Sequence, residues 1–366
     1  MATPDLPPVT GFRPDLSALL ADARVVSVPM RVKFRGILHR EALLLPGPAG
    51  WGEFSPFPEY DDAEAAPWLA AALEAAGEGY PEPVRTSVPV NGTVPAVGVD
   101  QVETVLARFG AVSAVKVKVA ERGQTVAEDL ARVAEVRRLL PGAGIRVDAN
   151  GGWDVPTAVG ALEALAEAGL EYAEQPVPDI AGLRAVREEL ARRGVPVLIA
   201  ADESVRKETD PLRVAREDAA DLIVVKVAPL GGVRRALSIV AAAGLPAVVS
   251  SALDTSVGIR AGVALAASLP QLPYACGLGT LSLMDGDVTA EPLLPDGGAL
   301  AVREVPVSEE LLERYAAGPD VTRWWLDRLA RVYAQLPAVP GGPGGPGFPG
   351  FPGGPGGPDF PGDAQQ

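Results

Sequence analysis

From about Val88 onward, short runs of β-branched residues alternate with longer Ala-, Leu- and Arg-rich segments whose apolar positions return every three or four residues. The short runs predict strands and the long segments helices, so the alternation predicts repeated βα units. Strands are expected at residues 88–91, 114–119, 145–148, 172–174, 197–201, 222–227, 247–250 and 274–277. Helices are expected at 125–140, stopped by Pro141-Gly142, and at 156–168, preceded by Asp154 as cap and ended by Gly169. Further helices are expected at 180–193, 233–243 and 259–269. Eight strands at near-regular spacing predict a TIM-type (β/α) barrel in preference to an open doubly wound sheet. No G-x-G-x-x-G follows the first strand, so nothing favours a dinucleotide fold.

The first 86 residues have another pattern. Segments 25–34 and 37–45 read as a hairpin around Arg35-Gly36, followed by a Gly/Pro-rich loop and a helix at 63–76. This is a small α+β domain, residues 1–86, ahead of a barrel at 87–300. Residues 301–340 carry two helices, 308–315 and 320–336, the second rich in Trp324, Trp325 and Tyr333, expected to pack back on the body. Residues 341–358 run as Gly-x-Pro triplets; too short to trust as a collagen helix, they make 341–366 a disordered Gly/Pro-rich tail.

Composition narrows the function. A formal charge of −15, with no block of Lys and Arg, argues against nucleic acid and anionic membranes and for a small-molecule partner. The N-terminal segment has neither a basic stretch nor an apolar h-region, and no apolar run reaches membrane-spanning length, so a cytoplasmic protein is expected. Cys276 and His39 are each the only residue of their type, which removes intramolecular disulfides, cysteine zinc sites and nearly all material for histidine chemistry. Of 32 Lys plus Arg only five are lysine (Lys33, Lys116, Lys118, Lys207, Lys226), leaving 27 arginines. Arginine cannot serve as a proton-transfer base, so each lysine draws notice.

Three of those lysines fall at predicted strand ends, together with three acids: Lys116 and Lys118 on strand two, Asp148 on strand three, Glu174 on four, Asp202 on five and Lys226 on six. The steps 118–148, 148–174, 174–202 and 202–226 are 30, 26, 28 and 24 residues, each about one βα unit. The ends of barrel strands face one cavity, where charged groups read as catalytic. Period-2 alternation in Val115-Lys116-Val117-Lys118-Val119 turns both lysines inward and the valines toward the helices. Three carboxylates offer hard oxygen ligands suited to Mg²⁺ or Mn²⁺. Burial and positive neighbours are expected to lower a lysine toward a working base. Any one of these acids, taken singly, has an alternative in pairing with an arginine. Asn150 and Glu203, beside the ligands, read either as their hydrogen-bonded supports or, for Asn150, as a loop cap.

The segments Val115-Lys116-Val117-Lys118, Val147-Asp148-Ala149-Asn150-Gly151-Gly152-Trp153, Glu174-Gln175-Pro176, Ala201-Asp202-Glu203-Ser204 and Val225-Lys226 resemble the enolase superfamily, and within it the muconate-lactonizing-enzyme-like branch. That resemblance, over roughly residues 20–330, implies that Asp148, Glu174 and Asp202 bind Mg²⁺. It also implies that Lys118 takes the proton α to a substrate carboxylate, that Lys226 faces the other side of the enolate, and that Lys116 assists the carboxylate. It makes the N-terminal domain a cap, with Gly50-Trp51-Gly52-Glu53-Phe54-Ser55-Pro56 as a mobile specificity loop in which Trp51 and Phe54 either touch substrate or fill the core. That segment, Ser250-Ser251-Ala252-Leu253-Asp254 and Gly277-Leu278-Gly279-Thr280-Leu281 resemble the branch's dehydratases, which implies loss of water from a cyclohexadiene carboxylate. Ser250, Ser251 and Gly279 thereby become candidate substrate contacts, although Gly279 stands where many of those enzymes have an acid. An N-acylamino acid racemase or epimerase, a cycloisomerase and a silent metal- or ligand-binding barrel remain the alternatives. Cys276-Gly277-Leu278-Gly279 lacks the Asp-x-Asp of the dipeptide epimerases.

Overall fold

The structure is a computed structural model and describes residues 10–34, 36–205 and 210–337. The Gly/Pro-rich segment 341–366 lies outside the described residues. A short helix α1 (Leu16–Asp22) leads into an antiparallel sheet of β1 (Arg24–Phe34), β2 (Ile37–Gly47) and β3 (Gly50–Phe54). The expected hairpin is present: Phe34 faces Ile37 across the turn, where Gly36 takes φ 83°, a conformation that favours glycine. Helix α2 (Asp62–Gly77) follows, capped by the Asp61 side chain accepting from the Glu64 amide. The sheet is apolar on both faces because both are covered. Val26, Val28, Ala42 and Leu44 join the core shared with the barrel, while Val25, Leu43, Leu45 and Phe54 pack under α2.

After β4 (Ser87–Pro89), the strands β5 (Gly92–Val94), β6 (Ala114–Lys118), β7 (Gly144–Asp148), β8 (Leu170–Glu174), β9 (Leu198–Ala201), β10 (Leu222–Val225) and β11 (Ala247–Val249) form one parallel sheet in sequence order. Between them run α3 (Val102–Leu106), α4 (Val126–Leu139), α5 (Val155–Leu165), α6 (Ile180–Arg193), α7 (Asp210–Arg216) and α8 (Val233–Ala243), with α9 (Ser256–Ser268) after β11. Local sequence explains the helix limits. Thr125 and Glu128 form a capping box at the start of α4, Asp154 caps α5 by accepting from the Thr157 amide, and Gly194 ends α6 in the left-handed region.

Two barrel strands differ from expectation. Residues 87–89 leave the barrel to pair antiparallel with β12 (Ala299–Ala301), and the first parallel strand starts at Gly92. The eighth strand, expected at 274–277, is reduced to bridges of Cys276 with Val90 and of Gly277 with Ser250. Pro273, which has no N–H, stands just before it, and these two bridges link the first and seventh strands.

The chain ends its described part in α10 (Glu309–Arg314) and α11 (Pro319–Tyr333). Trp325, Leu329 and Val332 of α11 are fully buried in the same cluster as Phe54, Leu69 and Leu73, so the last helix completes the core of the N-terminal domain. Among the described residues no helix is long and apolar enough to cross a membrane.

Strand alternation then places the chemistry. Val115, Val117, Ile145, Val147, Ala173, Ile199, Ile223 and Val225 face the helices in the main core. Their alternates Tyr172, Ala200, Leu222, Val224 and Val248 fill the barrel interior with Tyr274. One step further along the inward row, at the C-terminal ends, every position from β6 to β11 is polar: Lys118, Asp148, Glu174, Asp202, Lys226 and Ser250.

Candidate active site

Strand register brings the centre together. Lys118 lies opposite Asp148, and Asp148 opposite Glu174, in adjacent parallel strands. Asp202 and Lys226 follow immediately after β9 and β10. Lys116 Nζ donates to Glu174 at 2.9 Å and lies 3.3 Å from Asp148 Oδ2; Lys118 Nζ donates to Asp148 Oδ2 at 2.5 Å; Lys226 Nζ donates to Asp202 Oδ1. The sheet order places Lys118 and Lys226 on either side of the three carboxylate strands.

Three acids buried side by side strain one another. Burial, and then the charges of Asp148 and Asp202, push the Glu174 carboxyl up to about 8 against the partial relief of Lys116. Asp148 is burdened by burial too, but Lys118 and Lys116 beside it hold it well below the usual carboxylate range. Asp202 is likewise lowered, Lys226 and Lys116 outweighing its burial. Burial pushes Lys116 down, while Glu174 and Asp148 beside it, with no cation to neutralise them, outweigh burial and hold it above its ordinary value.

The donor set fits a divalent cation. Three carboxylates on consecutive strands are hard oxygen donors, and the repulsion expressed in Glu174 is the kind a divalent ion relieves. Among the described residues no three acidic, cysteine or histidine side chains form an ion-enclosing set as they are placed, with ammonium groups against all three carboxylates.

Asn150 and Glu203 join this network. Lys118 Nζ donates to Asn150 Oδ1 at 2.7 Å, the Asn150 amide N–H donates to Asp148 Oδ1, and Asn150 Nδ2 donates to Glu203 Oε1 at 3.1 Å. Gln175 was missed as a site residue although its motif was visible. Its Oε1 accepts from the amides of Asp202 (2.9 Å) and Ser204 (3.2 Å), and its Nε2 donates to Ser204 Oγ and Val177 O. Its φ of 38° is unusual outside glycine, a local strain at the place where Asp202 is aimed.

Ser250 and Ser251 border the same cavity as Lys226. Ser251 Oγ lies 2.6 Å from Thr280 Oγ1, a partner that sequence reasoning also missed. The candidates Gly279, Trp51 and Phe54 lie off this cavity, and the expected loop at 50–56 is corrected over its first five residues. Gly279 does not line that cavity: it packs where a Cβ would come 3.2 Å from Asn91 O and against Phe109. Residues 50–54 are strand β3 on β2, not a loop. Phe54, fully buried, meets Trp325 edge-on at 5.8 Å, and Trp51 packs against the main core; neither borders the cavity. Phe54→Leu is accordingly expected to lower Tm, by about 1 kcal/mol in stability, while leaving KM unchanged; a thermal melt and steady-state kinetics on the same preparation check both.

Residues 99–306 match the family model described as enolase C-terminal domain-like, and residues 25–76 the one described as enolase N-terminal domain-like. The chain belongs to the enolase superfamily, whose members use a divalent metal. It is 54% identical to an o-succinylbenzoate synthase of Thermobifida fusca over 85% of this chain and 96% of that one. It is 53% identical to one of Mycolicibacterium smegmatis over 89% and 99%, and 52% identical to one of Mycobacterium tuberculosis over 88% and 97%. Within the superfamily it is a member of the o-succinylbenzoate synthase family. Among solved structures, the muconate lactonizing enzyme of Pseudomonas putida superposes with a TM-score of 0.65 over 81% of this chain and 98% of that one, at 22% identity. The Pseudomonas fluorescens enzyme does so at 0.68 and 21%. These likenesses establish the fold.

Proposed function

We propose that the chain removes water from 2-succinyl-6-hydroxy-2,4-cyclohexadiene-1-carboxylate to give 2-succinylbenzoate, a step of menaquinone biosynthesis in the cytoplasm, with Mg²⁺ or Mn²⁺ held by Asp148, Glu174 and Asp202. The observation that carries this reading is the pair Lys118 and Lys226, set on opposite sides of three buried carboxylates in a member of that family. When bound, the cation supplies Lewis-acid stabilisation for charge developing on the substrate carboxylate.

The remaining work falls to the chain's own side chains. Lys118 Nζ, acting as the neutral amine and oriented by Asp148 and Asn150, takes the ring proton α to the carboxylate. The electron pair so released passes into the carboxylate as an enediolate, and then returns to close the new ring double bond as the C–O bond to the hydroxyl breaks. The protonated Lys118 returns its proton to the departing oxygen, so hydroxyl and proton leave as water. Lys226 and Lys116 set positive charge around the enediolate between these steps. Aromatisation supplies the driving force.

The two-lysine arrangement also favours a second reading, an epimerase in which Lys118 and Lys226 exchange the α-proton of an N-acylamino acid on opposite faces. One experiment separates them. Turnover of the cyclohexadiene with Mg²⁺, followed by the ultraviolet change on aromatisation, is expected to be fast, and α-proton exchange of either N-acylamino acid enantiomer in D₂O slow. Rapid exchange from both enantiomers with poor cyclohexadiene turnover reverses the assignment.

A further inference from the structure

The N-terminal domain grips the barrel loop that follows β11 through two buried charged side chains. Arg40 of β2 donates from Nε to Leu253 O at 2.9 Å, and from Nη2 to Ser55 O at 2.5 Å and Ala252 O at 3.3 Å. Glu53 of β3 reaches into the same loop. Its Oε2 accepts from Thr255 Oγ1 (2.5 Å), the Thr255 amide (3.1 Å) and the Gly258 amide (3.0 Å), and its Oε1 accepts from Ser55 Oγ (2.8 Å). Thr255 is the cap residue of α9, so a carboxylate from one domain satisfies free amides at the start of a 13-residue helix in the other.

The loop is built for this approach. A Cβ on Gly258 would meet Glu53 Oε2 at 3.0 Å and the Asp254 Cβ at 2.6 Å, so only glycine admits the carboxylate. Leu253 holds φ 68°, a costly conformation for a branched residue that its surroundings must enforce. At the start of this loop, Ser250 and Ser251 border a cavity of about 30 Å³ together with Lys226, Glu53 and Asp254.

We propose that Glu53 is a positioning residue for the dehydration, clamping the start of α9 from the opposite domain and thereby setting the Ser250 and Ser251 hydroxyls beside Lys226 for substrate binding. This rests on the function proposed above. The hydrogen bonds of the Glu53 carboxylate go to Ser55, Thr255 and Gly258, so its influence on the lysine–carboxylate centre runs through the loop.

Glu53→Gln in the full chain tests it, because the amide keeps the volume but turns an NH₂ toward donors that need an acceptor. Removing an acceptor from buried donors is expected to raise KM for the cyclohexadiene about tenfold, with kcat changed by less than roughly threefold. Unchanged KM in folded protein, or a loss confined to kcat, overturns the proposal. If E53Q does not fold, Ser55→Ala and Thr255→Val carry the test, each removing one donor to Glu53; unchanged KM in both overturns it equally. If the wild type itself does not turn over the cyclohexadiene, the proposed function fails and the clamp is read by hydrogen exchange. The amides of Thr255 and Gly258 are then expected to exchange about tenfold faster in E53Q, and equal rates overturn the clamp.

A second signature comes from acidity. Burial, then the charge of Asp254, push the Glu53 carboxyl up from 4.5 to about 7, against Thr255, Arg40 and Ser55, with Lys226 and Tyr80 also bordering the cavity. An acid raised on folding contributes stability that is full below its unfolded value and is lost as pH rises through the folded one. Wild type is therefore expected to lose more Tm than E53Q between about pH 4.5 and about 7; parallel curves count against the clamp's buried carboxylate.

Discussion

Lys118→Ala is expected to lower kcat by roughly 10²–10⁴-fold, the range of a general acid–base group, and Lys118→Arg to recover none of it. The argument is geometric before it is electrostatic. Lys118 Nζ is held at 2.5 Å by Asp148 and at 2.7 Å by Asn150, at the C-terminal end of β6 where substrate enters a TIM-type barrel. Arginine in its place keeps the charge but cannot shed a proton near neutrality, and its planar fork does not match the two acceptors that fix an ammonium. The alanine variant should still bind the divalent ion, since no ligand is lost, and this separates lost acid–base chemistry from a collapsed site. Lys226→Ala should also be impaired, through loss of positive charge facing the enediolate, by roughly 10²–10³-fold. Turnover of Lys118→Ala within about tenfold of wild type, too little for an acid–base group, sinks its assignment as the proton carrier.

How much of this was legible in the sequence follows from the range of each interaction. Lysines and acids at strand ends were readable because strand alternation and one-βα-unit spacing are local rules, and the register Lys118–Asp148–Glu174 follows once the sheet is parallel. Helix limits at Thr125, Asp154 and Gly194 depend on caps a few residues away. What escaped depends on partners far along the chain. Strand β3 is the local exception: short and Gly-rich, it is made a strand by pairing with β2, which lies just before it in the chain. Phe54 in Phe54-Ser55-Pro56 looks like a loop aromatic until Trp325, brought back by α11, encloses it. Glu53 and Arg40 act on residues more than 200 positions away, and nothing in their own neighbourhood announces that. Gln175 is the intermediate case. Its motif was visible, but its role required knowing that β8 and β9 are adjacent, so that its amide reaches Asp202.

Metal removal should have the largest effect of all. Chelation with EDTA is expected to abolish turnover, and Mg²⁺ or Mn²⁺ to restore it, because the carboxylates of Asp148, Glu174 and Asp202 are buried oxygen donors converging from consecutive strands. Lysines at Asp148, Glu174 and Asp202 offset the charge only in part: burial and the two neighbouring acids still leave the Glu174 carboxyl at about 8. Binding a divalent ion to the folded chain alone also stabilises it by mass action, so Tm should rise with ion concentration as well as activity. Asp202→Asn keeps the size of the side chain and removes one charge, and should weaken the ion by at least the roughly 10–100-fold that losing even a partner of a ligand costs. Titration calorimetry with Mg²⁺ and thermal melts with and without the ion measure this independently of turnover. Full activity of the chelator-treated protein, or equal ion affinity in wild type and Asp202→Asn, would show that these three acids serve some purpose other than holding a cation.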